Sequence, residues 1–498
     1  MSSVALSFFS VGHGLYHAGK FIKNSELAYN QTSFGSAFTY IYDCGSMQFS
    51  SSCNRYMNVE DSIDASLSFY KDLKKIDVLF VSHFHKDHVN KLKYLISKLE
   101  RRGITFDRLV VPYVDIYKRL LMYLEYESGQ NQPSIENVSK INKEYSQNKS
   151  DCSVEDLSGN DEHESKYENN SYEDKNLDDD SFNYPEFIVN PYSELLVFFK
   201  KSTPKISILK NPTLYAVSTD NDQLIEERKR KKSKSLYRLK RSLRSKDDMS
   251  FILSNNSCVL EFDELDISYC DIRKIHVFLP PIRSQRTYSK VFFSEFKKIV
   301  SSVNSIEELF IGKKIKQLRQ VYQRLNLINK TSNDVNLTSL LVFHYSQDQN
   351  LLKVQHNAVL LLGDTNLGHT LSLNNKAKFS VADYIIKHLG IMNLSSIRFL
   401  LIPHHGSRNS WSNDIMKNLR LTLCVVSGSI KNDKTPNQVV FDAFKSNRDI
   451  AQDLYELLAI IKICNAPEIV HKNDCDANGN YLLWVNENYS LDYCFVCC

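Results

Sequence analysis

Several features are missing from the 498-residue sequence, and each absence argues against a class of protein. No apolar run approaches the roughly 20 residues that a membrane-spanning helix needs. The amino terminus has no charged segment ahead of its first apolar run, which argues against a secretory signal. The 11 cysteines show no repeated spacing, so free thiols are predicted rather than a disulfide framework. These features predict a cytoplasmic protein.

A large excess of one charge is also missing, since 62 Lys or Arg face 58 Asp or Glu. Whole-chain charge therefore gives no indication of a nucleic-acid partner, and only local clusters could do so. A hydrophobic fraction of 42%, with 27 Tyr and 27 Phe, predicts a globular protein with a large core. The length fits two to four domains, or one large sandwich with insertions.

The most informative stretch is the apolar segment 78–81, which runs into three histidines and an aspartate. Residues two apart on a strand face the same way, so His83 and His85 can approach one metal ion together. The turn after them can bring Asp87 and His88 toward a second ion. Imidazole and carboxylate suit zinc, and also manganese or iron. The alternative, a surface loop that holds these residues by chance, is improbable with 14 His in the chain.

Two later apolar strands are also predicted to end in side chains that can bind metal. Asp364 follows a glycine at the end of segment 358–362, where a carboxylate is costly unless a metal or hydrogen bonds compensate it. The alternative role for Asp364 is to cap the next helix. His404 and His405 follow the apolar segment 399–403. Three strands that deliver ligands from their carboxyl ends are what a two-metal hydrolase requires.

The stretch from His83 to His88 has the His-x-His-x-Asp-His form and closely resembles the signature of the metallo-β-lactamase superfamily. Further pieces resemble one branch, the metallo-β-lactamase domain of competence (ComEC-type) DNA-uptake proteins and their soluble relatives. Those pieces are Val11-Gly12-His13-Gly14, Asp43-Cys44-Gly45, Asn336 with Ser339-Leu340, Leu362-Gly363-Asp364, Pro403-His404-His405-Gly406-Ser407 and Val426-Ser427-Gly428. The resemblance covers about residues 4–115 and 250–490.

This resemblance implies an α/β protein, the four-layer αββα metallo-β-lactamase sandwich, with a metal site at one edge. Two divalent ions are implied, most simply zinc, with manganese as the alternative. The implied ligands are His83 and His85 for one ion, Asp87, His88 and His404 for the other, and Asp364 between the two.

The choice between His404 and His405 stays open, and His404 is preferred because it lies nearer the strand end. His405 would then orient phosphate or shuttle a proton, which makes it a candidate catalytic residue together with Asp87. The sequence departs from this pattern in two respects, because segment 110–115 supplies no further histidine, and Thr435-Pro436 stands where the soluble relatives often carry a His-Pro step. The first ion is therefore expected to be held weakly, or one ion to suffice.

Residues 1–115 and 250–498 are predicted to form two halves of this domain, separated by a charged, partly disordered insertion at 116–249. Segment 151–180 holds 12 acidic residues against two lysines and too few apolar residues to order itself. Segment 228–246, from Arg228 to Lys246, holds 11 Lys or Arg and no acid. That segment and the basic helix from Lys313 to Arg324 could contact a phosphate backbone. Pairing with the acidic segment, or a solvated surface, are the alternatives for the first.

At the carboxyl-terminal end the residue patterns predict helices at 439–445 and 451–462. Asn478-Gly479 predicts a two-residue hairpin turn, since this dipeptide is favoured there. Cys494, Cys497 and Cys498 are interpreted as incidental residues of a frayed tail, with a metal or lipidation site as the alternative.

The predicted reaction is metal-dependent hydrolysis, in which a metal-bound hydroxide attacks phosphorus or a carbonyl carbon. Phosphodiester cleavage by a nuclease is preferred because of the branch resembled and the two basic segments. One alternative is a small-molecule esterase or phosphatase that uses the insertion as a lid. Another is a catalytically weak binding subunit of a multi-protein system, for instance in defence, which would imply a protein partner.

Overall fold

The protein is described by a computed structural model. It describes residues 2–9, 11, 14–23, 37–46, 59–67, 69–71, 73–114, 116–130, 182–211, 258–262, 264–269, 273–281, 298–299, 302, 312–324, 336, 338–346, 358–373, 377–417, 419, 423–427, 459–463, 481–485 and 491–496. The charged segments 151–180 and 228–246 and the Asn478-Gly479 turn lie outside these residues.

The larger sheet has nine strands among the described residues. They are β1 (Ser2–Phe8), β2 (Gly14–Lys23), β3 (Phe38–Ser46), β4 (Lys75–Phe80), β5 (Thr105–Pro112), β6 (Lys205–Lys210), β7 (Cys258–Phe262), β17 (Tyr481–Val485) and β18 (Leu491–Val496). Their order is β17-β18-β1-β2-β3-β4-β5-β6-β7. Pairing is antiparallel from β17 to β3 and parallel from β3 to β7. Because β4 has a parallel neighbour on each side, its carboxyl end lies at the same sheet edge as theirs.

The smaller sheet has seven strands within the described part of the chain. They are β8 (Glu264–Tyr269), β9 (Arg273–Phe278), β10 (Leu341–Ser346), β11 (Ala358–Leu361), β14 (Ile397–Leu401), β15 (Leu423–Ser427) and β16 (Ala459–Ile463), in the order β16-β15-β14-β11-β10-β9-β8. Strands β11, β14, β15 and β16 are mutually parallel, so β11 and β14 end at the same edge. A separate hairpin pairs β12 (Thr370–Leu373) with β13 (Ala377–Ser380).

Helices connect and cover the strands. Those described are α1 (Val59–Ser66), α2 (Lys86–Val89), α3 (Leu92–Arg101), α4 (Ile116–Gln130), α5 (Tyr184–Val189), α6 (Pro191–Val197), α7 (Gly312–Arg324), α8 (Val381–Ser395) and α9 (Asn413–Met416). The i, i+3, i+4, i+7 spacing of Leu92, Leu95, Ile96 and Leu99 predicts a core-facing helical stripe. The structure confirms it, because all four residues of α3 are buried. Of the helices described, none combines the length and apolar character needed to cross a membrane.

Three hydrophobic clusters show how these elements pack. One contains Phe80 of β4 and Val277 of β9, together with other residues of both sheets, so the sheets share a core. A second joins the larger sheet to α3, α5 and α6. The third joins the smaller sheet to α8 and α9, with Leu360 and Ile385 as members. The protein is therefore mixed α/β with two sheets, compatible with an α/β sandwich.

Part of the predicted insertion belongs to the larger sheet. Strand β6 lies between β5 and β7, and its residue Ile208 is paired with Val111 and Leu260. Helix α5 buries Phe187 against this sheet, and the Tyr184 hydroxyl donates to the carbonyl of Phe84 at 3.0 Å. The larger sheet therefore continues beyond the predicted boundary at residue 116, because apolar residues of 182–211 complete its core.

The carboxyl-terminal strands depart from the sequence prediction. The residue pattern predicts a helix through residue 462, but β16 begins at Ala459 and pairs in parallel with β15. That prediction is wrong for residues 459–462. The expected tail is also wrong at Cys494, which lies in β18 opposite Ala5 of β1. Strand β16 lies at one edge of the smaller sheet, whereas β18 lies between β17 and β1 of the larger sheet. The partners β15 and β1 are distant in the sequence, so a local residue pattern does not reveal these pairings.

Candidate metal centre

The predicted metal-binding stretch lies at the carboxyl end of β4. Residues 81–85 continue beyond the strand before α2 begins at Lys86. Two backbone hydrogen bonds hold this extension, one from Val81 N to Val110 O at 2.9 Å and one from Leu340 N to Ser82 O at 2.8 Å. The second bond joins the β4 loop to the segment that leads into β10. The histidine loop is therefore fixed at the meeting point of the two sheets.

Asp364 lies at the centre of the side chains that gather there, and its two oxygens face different histidines. Oδ1 lies 3.2 Å from His88 Nε2 and 3.9 Å from His405 Nε2. Oδ2 lies 3.7 Å from His83 Nε2 and 4.0 Å from His404 Nε2. The structure thus brings four of the predicted histidines to one buried carboxylate.

The ligand atoms fall into two groups that share Asp364. Asp87, His88, Asp364 and His405 form one group, and His83, His85 and Asp364 form the other, with the atoms of each group within 4.8 Å of one another. Within the first, His405 Nε2 lies 3.3 Å from Asp87 Oδ2. Within the second, His83 Nε2 lies 3.0 Å from His85 Nδ1. Buried histidine and aspartate clusters of this composition could hold metal ions.

The grouping differs from the expected one at a single position. The sequence favours His404 beside Asp87 and His88, whereas the structure places His405 there. His405 is buried, while the His404 side chain is 31% exposed and its Nδ1 lies 2.6 Å from Ser410 Oγ. Nearness to the strand end is a poor guide here because the backbone turns sharply after Pro403.

That turn has an uncommon conformation. His404, His405 and Gly406 have φ values of 50°, 54° and 75°, all in the left-handed region. Such values cost a residue with a Cβ about 1–3 kcal/mol, so they persist only where surrounding contacts enforce them. One such contact is the hydrogen bond from His404 N to Gly363 O at 3.0 Å. The left-handed turn sends the two adjacent histidines to opposite oxygens of Asp364.

Asp43 supports the centre from behind, a role that the sequence patterns do not reveal. This buried residue of β3 accepts hydrogen bonds from Ser82 N at 2.6 Å, from Ser82 Oγ at 2.5 Å and from His88 Nδ1 at 2.8 Å. Because Ser82 Oγ donates to Asp43, it accepts from His83 Nδ1 at 2.9 Å. With both Nδ1 atoms used as donors in these hydrogen bonds, the Nε2 atoms of His83 and His88 face the centre. The available signal is an aspartate that follows an apolar strand segment, as Asp364 does.

Two glycines let β2 and β3 approach the histidine loop. A Cβ at Gly45 would lie 2.6 Å from the carbonyl oxygen of Asp87, and one at Gly14 would lie 2.9 Å from the same atom. Real Cβ atoms essentially never come so close to backbone. These glycines are therefore required by close backbone approach at the site, a role that fits the Asp43-Cys44-Gly45 piece of the resemblance.

Burial keeps the histidines of the smaller group neutral. It holds the pKa of His83 well below the usual value, and the nearby His88 adds to the effect. Burial likewise lowers the pKa of His85 to about 4. A neutral imidazole is the form that binds a metal. His83 and His85 are therefore neutral at neutral pH, the form in which each can bind an ion.

The larger group has the opposite electrostatic character. Burial disfavours the charged form of His88, but Asp364 and Asp87 outweigh it and raise the pKa of His88 well above its usual value. The pKa of His405 is raised in the same way by the two aspartates. Burial alone would raise the pKa values of Asp87 and Asp364, yet the adjacent His88 and His405 hold both low. Without a cation, two protonated histidines therefore balance two buried carboxylates.

The residues present fit divalent metal. His88 Nε2 is buried and has no hydrogen-bond partner within the described residues, although its ring is fixed by Asp43. A histidine whose ring is oriented by a carboxylate in this way binds zinc through Nε2 once the Nε2 proton has left. A cation would also replace the protons that now neutralise Asp87 and Asp364.

The predicted nucleic-acid surfaces are described only in part. Segment 228–246 lies outside the described residues, while 313–324 lies on α7. Ile315 and Leu318 of α7 are buried, whereas Lys313 and Lys316 are exposed. Helix α7 is therefore amphipathic and presents lysines to solvent.

Comparison with known proteins gives a short similarity. No protein-family model matches the chain. Over 59 residues it is 44% identical to endoribonuclease YSH1 of Gibberella zeae, 42% to endoribonuclease YSH1 of Saccharomyces cerevisiae and 44% to that of Yarrowia lipolytica. The aligned segment is 11% of this chain and only 7% of each relative. The similarity is therefore confined to a short segment of this chain and of each relative, and it does not point to DNA-uptake proteins.

Proposed function

We propose that the protein is a metal-dependent hydrolase that cleaves phosphodiester bonds in nucleic acid. The observation that carries the proposal is Asp364, whose two oxygens face two separate histidine groups, as expected of a carboxylate between two cations. The His-x-His-x-Asp-His stretch and the short similarity to endoribonucleases support the same chemistry. Two sheets with helices packed outside each support the αββα metallo-β-lactamase architecture as part of this proposal.

The geometry favours a specific assignment of ligands. One ion would be held by Asp87, His88 and His405 with Oδ1 of Asp364. The other would be held by the remaining three histidines with Oδ2 of Asp364, namely His83, His85 and His404. Segment 110–115 has no histidine that could bind the ion beside His83 and His85. In this assignment His404 is the third histidine ligand of that ion. Zinc suits the donor set best, and manganese is the alternative.

The chain's own residues have separable tasks in such a centre. Bound ions would activate water and neutralise charge on the phosphate. Asp43 orients His88 directly and His83 through Ser82, while Ser410 orients His404. Asp87 offers a carboxylate oxygen beside His405. A separate role for His405 in orienting phosphate or moving a proton is not retained, because its Nε2 faces Asp87 and Asp364.

The substrate class is argued from similarity and from the basic segments. The motif resemblance is to DNA-uptake proteins, whereas the relatives with a short similarity are named endoribonucleases. Lys313 and Lys316 of α7, together with the basic segment 228–246, could bind a phosphate backbone of either kind. Both single-stranded RNA and single-stranded DNA are therefore the substrates to offer.

The test combines metal content with cleavage. Elemental analysis of the purified full chain should find two ions that depend on Asp364, and labelled RNA or DNA should be cut in zinc or manganese. Asp364→Asn should lose these two ions and the cleavage. The matched control is Asp77→Asn, which alters another buried carboxylate of β4 that accepts from Thr39 N at 2.8 Å near the opposite end of the strand. It should keep metal and cleavage.

Salt and alternative substrates separate the rival functions. Cleavage of nucleic acid should weaken steeply as salt is added, because phosphate contacts release counterions. Turnover of a chromogenic phosphate or carboxylate ester without nucleic-acid cleavage would instead establish a small-molecule hydrolase. A folded protein that binds no zinc or manganese would replace the enzyme with a binding subunit.

A further inference from the structure

A second histidine cluster lies on the smaller sheet, outside the central metal centre. His276 of β9 and His388 of α8 bring their Nε2 atoms to 2.9 Å, with ring centroids 5.1 Å apart. Glu264, at the start of β8, places Oε2 4.0 Å from His388 Nε2. The two imidazoles are half-buried, at 16% and 20% exposure, and the glutamate is exposed.

Strand alternation explains why these side chains meet. Ile275 and Val277 of β9 point into the core between the sheets, so His276 points to the outer face. Leu265 and Ile267 of β8 also belong to that inner core, so Glu264 and Asp266 lie on the outer face. Helix α8 covers this outer face and stacks His388 on Phe278 with centroids 4.5 Å apart. The cluster is thus separated from the central site, which lies at the strand ends.

Asp266 sets the protonation pattern of the pair. It is opposite His276 in the β8–β9 register, and its Oδ1 lies 2.8 Å from His276 Nδ1. Lys274 binds the other oxygen at 3.0 Å. A carboxylate acceptor places the proton of a neutral imidazole on Nδ1 and leaves a lone pair on Nε2. His276 therefore presents that lone pair to the space shared with His388 and Glu264.

We propose that Glu264, His276 and His388 form a transition-metal site, with zinc as the preferred ion and Asp266 as the group that orients His276. Two histidines and a glutamate are a recurrent zinc donor set. The three donor atoms lie within 4.8 Å of one another. On a tetrahedral zinc with Zn–N of about 2.05 Å, two nitrogens are about 3.3 Å apart. The observed separation of 2.9 Å needs only a small opening.

A carboxylate, a histidine and a metal in line recur throughout zinc proteins, because the carboxylate fixes the ring and raises its basicity. Here the ion would tie the β8–β9 edge hairpin to α8. Helix α8 leads directly into β14, the strand that delivers His404 and His405. The site would thus be a structural tie on the outer layer, independent of whether the central centre hydrolyses nucleic acid.

The test counts zinc in four versions of the full chain: wild type, Asp364→Ala, His388→Gln and the double variant. One equivalent should survive Asp364→Ala and be lost when His388→Gln is added, and wild type should lose one equivalent with His388→Gln alone. His369→Gln is the control, because this half-buried histidine belongs to none of the three donor groups. If the central centre binds no zinc, Asp364→Ala will leave the zinc count unchanged, and the loss of one equivalent with His388→Gln will still be seen.

Two further measurements sharpen the result. Zinc should raise the thermal midpoint of Asp364→Ala but not of the double variant. Asp266→Asn should weaken zinc binding about 10–100-fold while the stoichiometry at saturation stays unchanged. A zinc count that His388→Gln alters in neither background overturns the proposal and leaves a hydrogen-bonded histidine pair. If Asp364→Ala does not fold, the zinc contents of wild type and His388→Gln are compared instead, and equal contents overturn the proposal.

Discussion

Asp43 is the carboxylate on which both histidine groups of the candidate centre depend. It holds His88 directly at 2.8 Å and reaches His83 through Ser82 Oγ. Asp43→Asn keeps the shape but replaces one acceptor oxygen with an NH₂ donor. Whichever way the amide turns, a donor then faces Ser82 N, or faces Ser82 Oγ and His88 Nδ1. The substitution therefore disturbs ring orientation without removing a metal ligand.

The magnitude can be worked from these contacts. Loss of a group that orients a ligating histidine weakens metal binding about 10–100-fold, or about 1.4–2.8 kcal/mol. Since Asp43 serves a histidine of each group, both ions should be affected. Competition of the metal-free protein against a chromophoric chelator would measure the two affinities. Asp77→Asn is the matched control and should leave them unchanged, because Asp77 contacts Thr39 N and Lys75 instead. Affinities for Asp43→Asn within about twofold of wild type would refute this reasoning.

Three other outcomes are expected. Gly45→Ala should abolish metal binding or folding, because its Cβ would lie 2.6 Å from the backbone of α2. The control is Gly103→Ala, because Gly103 has a φ of 78° and open space around the added Cβ. This control should lose only about 1–2 kcal/mol of unfolding free energy in chemical denaturation and should keep its metal. Equal losses would contradict the steric argument. Glu100 accepts hydrogen bonds from the backbone N–H groups of 200–202 at 2.8–3.0 Å. Glu100→Ala should therefore lower the free energy of unfolding by about 1–3 kcal/mol. An unchanged denaturation midpoint would contradict this expectation. Metal affinity should rise with pH above about 6.5, the ordinary pKa of histidine. Burial alone would lower the pKa of His88, but neighbouring carboxylates raise it, so a proton must leave before an ion binds; calorimetry in two buffers would detect its release, and affinity that is flat with pH would contradict the assignment.

Features encoded over a few neighbouring residues were predictable from the sequence. The alternation of His83 and His85 after an apolar run requires only a strand and its end. The helical stripe that begins at Leu92 requires only a 3.6-residue period. Asp364 is recognisable because a carboxylate at the end of an apolar strand needs compensation. Each signal lies within about one turn or one strand, so no knowledge of distant partners is needed.

Features that depend on distant partners were not predictable. Residues 459–463 are a short apolar run, and such runs do not distinguish a buried helix from an edge strand. Strand β6 joins the larger sheet through partners 97 and 52 positions away, namely Val111 and Leu260 for Ile208. His405 lies beside Asp87 and His88 in place of His404 because both histidines have positive φ values. In the sequence, only the following Gly406 indicates such a turn. Asp43 shares the local signal of Asp364, and only the folded structure shows that it contacts Ser82 and His88.

The candidate centre and the contact between the sheets depend on each other. The Tyr42 hydroxyl of the larger sheet donates to Leu340 O at 2.7 Å, and Leu340 N donates to Ser82 O at 2.8 Å. These bonds flank the point where His83 and His88 of one sheet meet Asp364 of the other. An ion held there has ligands from both sheets and binds the folded state alone, so its binding free energy adds to the free energy of unfolding. Without the ion, the same buried aspartates and histidines must be neutralised by protons. Metal removal should therefore loosen the junction between the sheets before it disturbs either sheet alone.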